Sequence, residues 1–326
     1  MFKNKTILVI GGTGTIGKAL VKKLLTLNAK VVRVLGRDEY KQYIMQEELR
    51  DYKNIRYFLG DVRDKYRLSR AMQDVDIVFN LAALKHVPAC EYNPFEAVKT
   101  NVIGTQNVIE CAIENNVEKV IYTSSDKAVS PTNTMGATKL LAERLMAAAN
   151  NTKGSRKTVF ASVRFGNVIG SRGSVVPLWE KQIIEKRKIT ITNLDMTRFM
   201  MSIDEAVNLT LKATEIAKGG ETFVLKMPVI KLSDLANVVI EKVCSKHRLE
   251  KDNIGIEVIG TRAGEKMYEE LMTEDEALNV VELDDMFIMQ PLYESKDDNG
   301  KHNQGYNSHN INPISKKEIM QILESL

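Results

Sequence analysis

Short apolar runs alternate with segments of helical periodicity along the first half of the chain. The apolar runs are "TILVI" (6–10), "KVVRVL" (30–35), "IRYFLG" (55–60), "DIVFN" (76–80), "KVIYTSS" (119–125) and "TVFASVRF" (158–165). Their apolar residues follow one another rather than alternate with polar ones, which is typical of strands buried on both faces. The pattern therefore predicts an α/β fold, a doubly wound parallel sheet with helices on both sides.

Helix boundaries are marked by capping residues at several positions. The first helix is predicted to begin near Ile16, and a long helix is predicted after Pro94, with Asn93 as its N-cap. In the closing segment "PISKKEIMQILESL", Ser315 and Glu318 have the spacing of a capping box, which predicts a final helix that docks onto the body.

The pattern changes after Gly166 and becomes rich in loops, which predicts a smaller substrate domain interleaved with the first domain. The expected division assigns residues 1–168 and about 196–228 to the dinucleotide-binding domain, and residues 169–195 and 229–326 to the substrate domain. Residues 294–312 contain almost no aliphatic side chains, so this segment is predicted to be a long loop or a mobile tail.

Composition excludes several classes of protein. A hydrophobic fraction of 44% supports a globular core, and the net charge of +4 arises from scattered residues, so no nucleic-acid role is expected. The three cysteines and four histidines have no metal-binding spacing, and no metal is expected. The apolar run near the N-terminus is too short to span a bilayer, which predicts a cytoplasmic protein without a membrane partner.

The motif "GGTGTIG" (11–17) follows the first strand and opens the first helix. Glycines at this spacing let the backbone approach a pyrophosphate at the helix N-terminus, although a simple tight turn also uses glycine. The strand and helix on either side favour a dinucleotide site. The expected contacts are Gly11, Thr13, Gly14, Thr15, Ile16 and Gly17.

The next two strands end in residues that can hold the rest of a dinucleotide. At the end of the second strand, Arg37 offers a guanidinium to a 2′-phosphate, which favours NADP over NAD; Asp38 follows it. The alternative is a solvated arginine beside an ordinary turn aspartate. Asp61 and Val62 end the third strand, where adenine contacts are usual, but a plain turn fits the spacing almost as well.

Several longer motifs occur in an order that resembles the extended short-chain dehydrogenase/reductases. They include "NLAALKHVP", "SSDKA", "NTMGATK", "RFGNVIGSRGSVVP", "DMTRFMMS" and "GTRAGEKMYEEL", and they extend from residue 7 to about residue 271. More narrowly, they resemble the inverting UDP-N-acetylglucosamine 4,6-dehydratases of surface-polysaccharide synthesis. Such enzymes oxidise the sugar at C4 with NADP⁺, eliminate water across C5–C6 and return hydride to C6.

The resemblance implies catalytic roles for "SDK". Lys127 would be the base at C5, Asp126 the acid at the C6 hydroxyl, and Ser125 a hydrogen-bond partner of the C4 oxygen. An Asp-Lys pair rather than Asp-Glu favours inversion at C5. Without the motif match, a solvated loop pair would be the preferred interpretation of these two residues.

The segment "MGATK" places Met135 where many relatives have tyrosine, four residues before Lys139, which is expected to hold the nicotinamide ribose. A thioether cannot exchange a proton. The C4 hydroxyl proton is therefore expected to leave through Lys127 or Asp126, directly or through water, while Met135 packs near the sugar or nicotinamide.

The same motifs imply further contacts. The additional cofactor contacts are Ala82, Ala83, Lys85 and Asn101, together with Lys139. The expected substrate contacts are Lys85, Asn167, Val175, Pro177, Thr190, Arg198, Arg262 and Glu265. The two arginines suit a pyrophosphate, although a surface salt bridge is the alternative for each of them alone.

These observations predict an NADP-dependent UDP-N-acetylglucosamine 4,6-dehydratase that inverts C5 and acts on a UDP-sugar. The resemblance also implies a homo-oligomer, either a dimer or a hexamer. One alternative is a UDP-N-acetylhexosamine 4-epimerase, which requires only oxidation and reduction at C4. The other is a non-catalytic NADP-binding regulatory protein, which the methionine in the tyrosine position suggests.

Overall fold

The computed structural model describes residues 1–171, 173–261, 264–291 and 304–324. The predicted Arg262 contact lies outside these described residues, as does the 294–303 part of the predicted loop.

Strands and helices alternate in the first half of the chain: β1 (Thr6–Ile10), α1 (Thr15–Thr26), β2 (Val31–Gly36), α2 (Glu39–Glu48), β3 (Ile55–Leu59), α3 (Lys65–Met72), β4 (Ile77–Asn80), α4 (Val87–Tyr92), α5 (Pro94–Ala97), α6 (Gly104–Glu114), β5 (Lys119–Thr123), α7 (Thr134–Thr152) and β6 (Val159–Arg164). The second half contains β7 (Asn167–Val168), α8 (Val175–Lys186), β8 (Lys188–Ile191), β9 (Thr197–Met201), α9 (Ile203–Ile216), β10 (Thr222–Leu225), β11 (Val229–Lys231), α10 (Leu232–His247), β12 (Gly255–Val258), β13 (Glu270–Met272), α11 (Glu274–Ala277), β14 (Val280–Glu282), β15 (Met286–Met289), β16 (Tyr306–Asn307) and α12 (Lys316–Glu324).

Nine strands within the described ranges form the main sheet, in the order β14-β15-β10-β6-β5-β4-β1-β2-β3. The neighbours from β10 to β3 pair in parallel, while β15 pairs antiparallel with β10 and β14 pairs antiparallel with β15. The predicted doubly wound parallel sheet is confirmed. The strand order reverses between β1 and β4, and in open α/β sheets ligands bind at the carboxyl ends of the strands beside such a point.

The unbroken apolar runs have a simple explanation in this sheet. Ile7 and Val9 of β1 belong to the hydrophobic cluster on one face, whereas Leu8 and Ile10 belong to the cluster on the other face. All four side chains are completely buried. Because helices cover both faces, no position of the strand needs a polar side chain.

The predicted long helix after Pro94 is interrupted. It consists of α5, a π-helical segment at Val98–Ile103 and then α6. Pro94 occupies the first helical position and Asn93 the N-cap position, both as predicted, but the Asn93 side chain makes no capping hydrogen bond. The Asn93 side-chain amide instead donates to the Ala89 carbonyl at 3.1 Å, at the end of the preceding helix.

The C-terminal third contributes to the main sheet as well as to the smaller region. Residues 280–289 were expected in the substrate domain, yet β15 pairs with β10 and β14 extends the main sheet beyond β15, with Met286 and Phe287 buried. The prediction was wrong for these residues because the edge of β10 needs a partner that local patterning does not reveal. The predicted loop 294–312 likewise includes β16, which pairs with β13.

The smaller region has its own core, built from α8, α10 and α12 around the buried Trp179. The predicted capping box of the final helix is confirmed: the Ser315 backbone N–H donates to Glu318 at 2.8 Å, and the Glu318 N–H donates to the Ser315 hydroxyl at 3.3 Å. Ile319 and Leu323 are fully buried in this core, so the final helix docks as expected.

Candidate active site

The glycine-rich loop joins β1 to α1 at the carboxyl edge of the sheet. Gly11 has a φ of +78°, and a Cβ there would lie 3.0 Å from the Ala82 backbone nitrogen. A Cβ on Gly17 would collide with the Gly11 carbonyl oxygen. The loop therefore needs glycine at both positions, and the first turn of α1 presents N–H groups that have no acceptor within the helix to an anionic group.

The other predicted dinucleotide contacts near this loop lie in two environments. Thr13, Gly14 and Thr15 line a groove of about 880 Å³ that continues along the outer face of α1. Ile16 packs against the main core, and Val62 is buried against α6. The side chains of these last two residues serve the fold, so any contact that they make with a dinucleotide would come from their backbone.

Arg37 and Asp38 follow β2 but have different surroundings. The Arg37 side chain is 54% exposed, and its Nη1 lies 3.5 Å from Asp61 Oδ2. Asp38 caps α2 by accepting from the Lys41 backbone N–H at 3.0 Å. Burial raises the pKa of Asp61. The hydrogen bonds and positive charge of Arg63 lower the same pKa by a larger amount, so the net shift is downward. The carboxyl ends of β2 and β3 thus carry the exposed guanidinium of Arg37 beside the carboxylate of Asp61, which is held in its ionised form.

Asn101 lies in the π-helical segment and is completely buried. Its side-chain amide donates to the Leu84 carbonyl at 3.0 Å and to Thr138 Oγ1 at 2.9 Å, and its Oδ1 accepts from the Leu84 N–H at 2.8 Å. This bonding leaves it poorly suited to the direct cofactor contact that the sequence suggested. Asn101 instead holds the backbone of Leu84, which lies between the expected contacts Ala83 and Lys85.

The Asp126–Lys127 pair lies just beyond the carboxyl end of β5. A single 3₁₀ turn begins there, and Ser125 Oγ caps it by accepting from the Lys127 backbone N–H at 3.1 Å. The Lys127 Nζ lies 2.8 and 3.1 Å from the two carboxylate oxygens of Asp126. The Asp126 side chain is buried and that of Lys127 is 32% exposed, so this ion pair at the carboxyl edge of the sheet is only partly open to solvent and is not a fully solvated loop pair.

Glu269 joins this pair, although the sequence reasoning did not single it out. Its Oε1 lies 3.5 Å from Lys127 Nζ and 3.3 Å from Arg198 Nε. The Asn167 side-chain amide approaches both of its oxygens, at 3.2 and 3.1 Å. The site therefore contains two carboxyl groups and two cations in contact.

The signal for Glu269 was present but ambiguous. It belongs to the quoted motif "GTRAGEKMYEEL", which also contains Glu265 and Glu270. Spacing within the motif does not show which of the three glutamates faces Lys127, a residue 142 positions earlier in the chain.

Neighbouring charges set the protonation of this cluster. Burial, followed by the negative charge of Asp126, raises the pKa of Glu269 to about 7. Burial alone would lower the pKa of Lys127, but Asp126 and Glu269 outweigh it and the net shift is upward. Lys127 consequently holds its proton firmly in this arrangement, while Glu269 is poised to take or release one near neutral pH.

Lys139 extends from α7 towards the end of β5 and is buried. Its Nζ donates to the Thr123 carbonyl at 2.8 Å and lies 4.7 Å from the centre of the Tyr122 ring. Burial lowers the pKa of Lys139 to about 8, although the charge of Glu143 partly opposes the shift. A lysine in this state can lose a proton at only mildly alkaline pH.

Met135 occupies a separate apolar cluster one helical turn before Lys139. Its side chain is 2% exposed and belongs to the same small core as Cys90 and Ala97. It is absent from the described wall of the cavity that contains the Asp126–Lys127 pair. The structure therefore gives the thioether a packing role instead of an open position beside a ligand.

A cavity of about 340 Å³ opens beside the ionic cluster. The predicted site residues on its wall are Lys85, Asp126, Lys127, Asn167, Arg198 and Glu265. Three other predicted contacts, Val175, Pro177 and Thr190, are not part of the wall within the described ranges. Val175 packs against the core of the smaller region, and Thr190 hydrogen-bonds with Gln182 through its N–H at 3.0 Å and its hydroxyl at 2.9 Å.

Arg198 is 7% exposed and already has several partners. It donates to the Thr197 carbonyl at 2.8 Å, and its Nη2 lies 3.4 Å from Glu265 Oε1. The ion-pair alternative considered for this arginine is therefore realised in a buried form. A diphosphate in the cavity would have to share the guanidinium with Glu265 and Glu269.

The family described as "Polysaccharide biosynthesis protein" matches residues 7–291. A protein of Methanocaldococcus jannaschii named as an uncharacterized membrane protein is 55% identical over 325 residues, covering 100% of this chain and 97% of the relative. Among the described residues of the present chain, no helix is both long enough and apolar enough to cross a membrane.

Two relatives have enzymatic names. The UDP-N-acetylglucosamine 4,6-dehydratase (inverting) of Campylobacter jejuni is 42% identical over 341 residues, covering 99% of this chain and 98% of its own. A UDP-glucose 4-epimerase of Rickettsia felis is 39% identical over 341 residues, covering 100% of this chain and 97% of its own.

Solved structures show the same architecture. The X-ray structure of Pen from Bacillus thuringiensis is 55% identical, covers 100% of this chain and 98% of that chain, and has a TM-score of 0.94. The family match over residues 7–291 agrees with the doubly wound sheet and its glycine-rich loop. The chain is an extended short-chain dehydrogenase/reductase and belongs to the polysaccharide biosynthesis protein family.

Proposed function

We propose that this protein is an NADP-dependent UDP-N-acetylglucosamine 4,6-dehydratase that inverts C5. The observation that carries the proposal is the contact between the buried Asp126 and the partly exposed Lys127 on the wall of the 340 Å³ cavity. Elimination of water needs one group that removes a proton and one that donates a proton, and this pair provides both. The 42% identical dehydratase of Campylobacter jejuni supports the choice of reaction and substrate.

The glycine-rich loop, the residues after β2 and the buried lysine of α7 suit NADP. Gly11 and Gly17 keep the loop free of side chains where a pyrophosphate would approach, and the exposed Arg37 suits a 2′-phosphate. Lys139 would hold the nicotinamide ribose. When bound, NADP⁺ supplies the hydride acceptor for C4 and later the hydride donor for C6.

The chain's own residues carry the proton transfers. Oxidation at C4 makes the C5 proton acidic, and Lys127 removes it, while Asp126 protonates the departing C6 hydroxyl. Ser125 Oγ already accepts one hydrogen bond, so its O–H can donate to the C4 oxygen. Because Met135 lies in an apolar cluster and exchanges no proton, the C4 hydroxyl proton leaves through the Asp126–Lys127 pair.

The direct test incubates the purified protein with NADP⁺ and UDP-N-acetylglucosamine in D₂O and analyses the product by mass spectrometry and proton NMR. We expect loss of one water, deuterium at C5 and a new C6 methyl signal, with C5 inverted. Untouched substrate in the presence of bound NADP would contradict the proposal and favour a non-catalytic binding protein.

A 4-epimerase is the second candidate, because a relative with that name is 39% identical along the whole chain. Epimerisation at C4 needs no base at C5. Lys127→Ala should therefore abolish dehydration, whereas an epimerase would keep converting substrate to a product of unchanged mass. Lys181→Ala is the matched control, since Lys181 lies on α8 with a side chain that is 68% exposed.

A further inference from the structure

We propose that Glu269 accepts the proton that Lys127 must lose before it can act as a base. The inference rests on the proposed dehydration and adds a third member to the acid–base machinery. Glu269 lies on the wall of the same cavity, and its assigned role, to hold a proton, is exerted through Lys127.

The need for such an acceptor follows from the contacts of Lys127. Its ammonium is paired with Asp126 at 2.8 Å and with Glu269 at 3.5 Å, and both carboxylates stabilise the charged form. A protonated amine cannot remove a proton from C5. A neighbouring group therefore has to take the ammonium proton at the time of reaction.

Glu269 is held where it can receive that proton. It is 7% exposed, and its Oε2 accepts from the Phe199 backbone N–H at 3.3 Å. The Asn167 amide contacts both carboxylate oxygens, at 3.2 and 3.1 Å. These donors fix the carboxylate beside the Lys127 Nζ, so proton transfer requires little movement of either side chain.

Charge balance favours an internal acceptor over solvent. The groups that face Glu269 are Asp126 and Lys127 from the 3₁₀ turn and Arg198 from β9, and Glu265 lies on the other side of Arg198. Without Glu265, the cluster consists of two carboxylates and two cations, so its net charge is zero. Moving a proton from Lys127 to Glu269 preserves that balance, whereas losing it to water would leave an extra negative charge in a buried site. The raised pKa of Glu269, about 7, acts in the same direction.

Protons and electrons balance over the elimination. Lys127 gives a proton to Glu269, and its free amine takes the proton from C5. The electron pair of the broken C5–H bond forms the C5–C6 double bond as the C6–O bond breaks. The proton on Glu269 passes through Asp126 to the departing oxygen, which leaves as water. Lys127 ends protonated and both carboxylates end ionised, as at the start.

Glu269→Gln tests the inference because glutamine retains the size and polarity of the side chain but cannot take the proton. We measure the rate of water loss from UDP-N-acetylglucosamine by NMR as a function of pH, with NADP⁺ in excess. At about pH 7 we expect the variant to be about 100-fold slower than wild type, within the usual range for one proton-transfer group. Its rate should then rise about tenfold per pH unit, because Lys127 must lose its proton to solvent.

Two further variants separate proton transfer from structure. Glu269→Asp keeps a carboxyl group and should keep the shape of the wild-type pH profile, at a lower rate. Glu257→Gln changes an exposed glutamate of β12 and should leave rate and profile unchanged. Thermal unfolding verifies that each variant is folded.

Infrared difference spectra provide a readout that does not depend on turnover. Wild type should show a protonated carboxyl band that titrates near pH 7, and Glu269→Gln should lack it. The inference is overturned if both proteins show the same bands, or if Glu269→Gln loses water at the wild-type rate or is slowed equally at every pH. If wild type itself releases no water, the proposed function fails first, and this inference falls with it.

Discussion

Lys139→Met should stabilise the protein without cofactor, because the buried Lys139 ammonium opposes folding at neutral pH. Burial lowers the pKa of Lys139 from 10.5 to about 8, although Glu143 partly opposes the shift. Between about pH 8 and 10.5, the folded state therefore binds fewer protons than the unfolded chain. The free energy of unfolding of the wild type consequently rises with pH across this window, and the full cost of the charge is present below it.

The magnitude follows from the same shift. Lowering the pKa from 10.5 to about 8 corresponds to about 3 kcal/mol of destabilisation by the charged form. Methionine has a similar length and no polar hydrogen to satisfy. The variant loses the hydrogen bond from Nζ to the Thr123 carbonyl, and this loss offsets about 1 kcal/mol of the stabilisation gained by removing the charge. We therefore expect Lys139→Met to raise the free energy of unfolding by about 2 kcal/mol at neutral pH.

Urea unfolding of the protein without cofactor, at about pH 7 and about pH 10, measures this difference. The difference in the free energy of unfolding between Lys139→Met and wild type should be large at the lower pH and should nearly disappear at the higher pH. Lys181→Met, at an exposed position of α8, should stay within about 0.5 kcal/mol of wild type. A Lys139→Met protein that is no more stable than wild type at neutral pH, or a gap that does not change with pH, would refute the reasoning.

Three other substitutions have defined expectations. Met135→Tyr should lower the free energy of unfolding by about 1–3 kcal/mol, because a larger, polar-tipped side chain enters a closed apolar cluster; denaturant titration beside Met135→Leu measures this. Gly17→Ala should weaken NADP binding in calorimetry by displacing the start of α1, since its Cβ would collide with the Gly11 carbonyl; an unchanged dissociation constant would contradict that. Arg164→Leu should lower the free energy of unfolding, measured by denaturant titration, by about 3–5 kcal/mol, because it leaves Glu143 buried without the guanidinium 2.6 Å away. Adding Glu143→Leu to Arg164→Leu should recover part of that loss.

The fold was largely predictable because its strongest signals are local. The run at residues 6–10 is apolar at every position, which matches a strand covered on both faces, and the glycine spacing marks the strand-to-helix turn. Ser315 and Glu318 identified the start of the last helix from three-residue spacing alone. The edge strands at residues 280–289 were missed because pairing with β10 depends on a contact between distant parts of the chain.

The motifs predicted several residues of the candidate site that are distant in sequence, since Lys85, Asn167, Arg198 and Glu265 lie with the Asp126–Lys127 pair on the cavity wall. The contacts within the site were predictable only between sequence neighbours. Asp126 and Lys127 are adjacent, so their contact could be anticipated, and Lys139 lies on the following helix. The sequence also suggested a direct cofactor contact for Asn101, and packing near the sugar or nicotinamide for Met135. In the structure, hydrogen bonds to Leu84 and Thr138 occupy the first side chain, and apolar neighbours enclose the second.

The sequence by itself determined the alternation of strands and helices in the first half of the chain, the glycine-rich loop and the chemical types available at the end of β5, because periodicity, capping and turn formation act over a few residues. Only the tertiary structure decided that Glu269, and not Glu270, contacts Lys127 across 142 positions. It also decided the protonation of that lysine, since a pKa depends on burial and on charges that the packing of distant segments brings together.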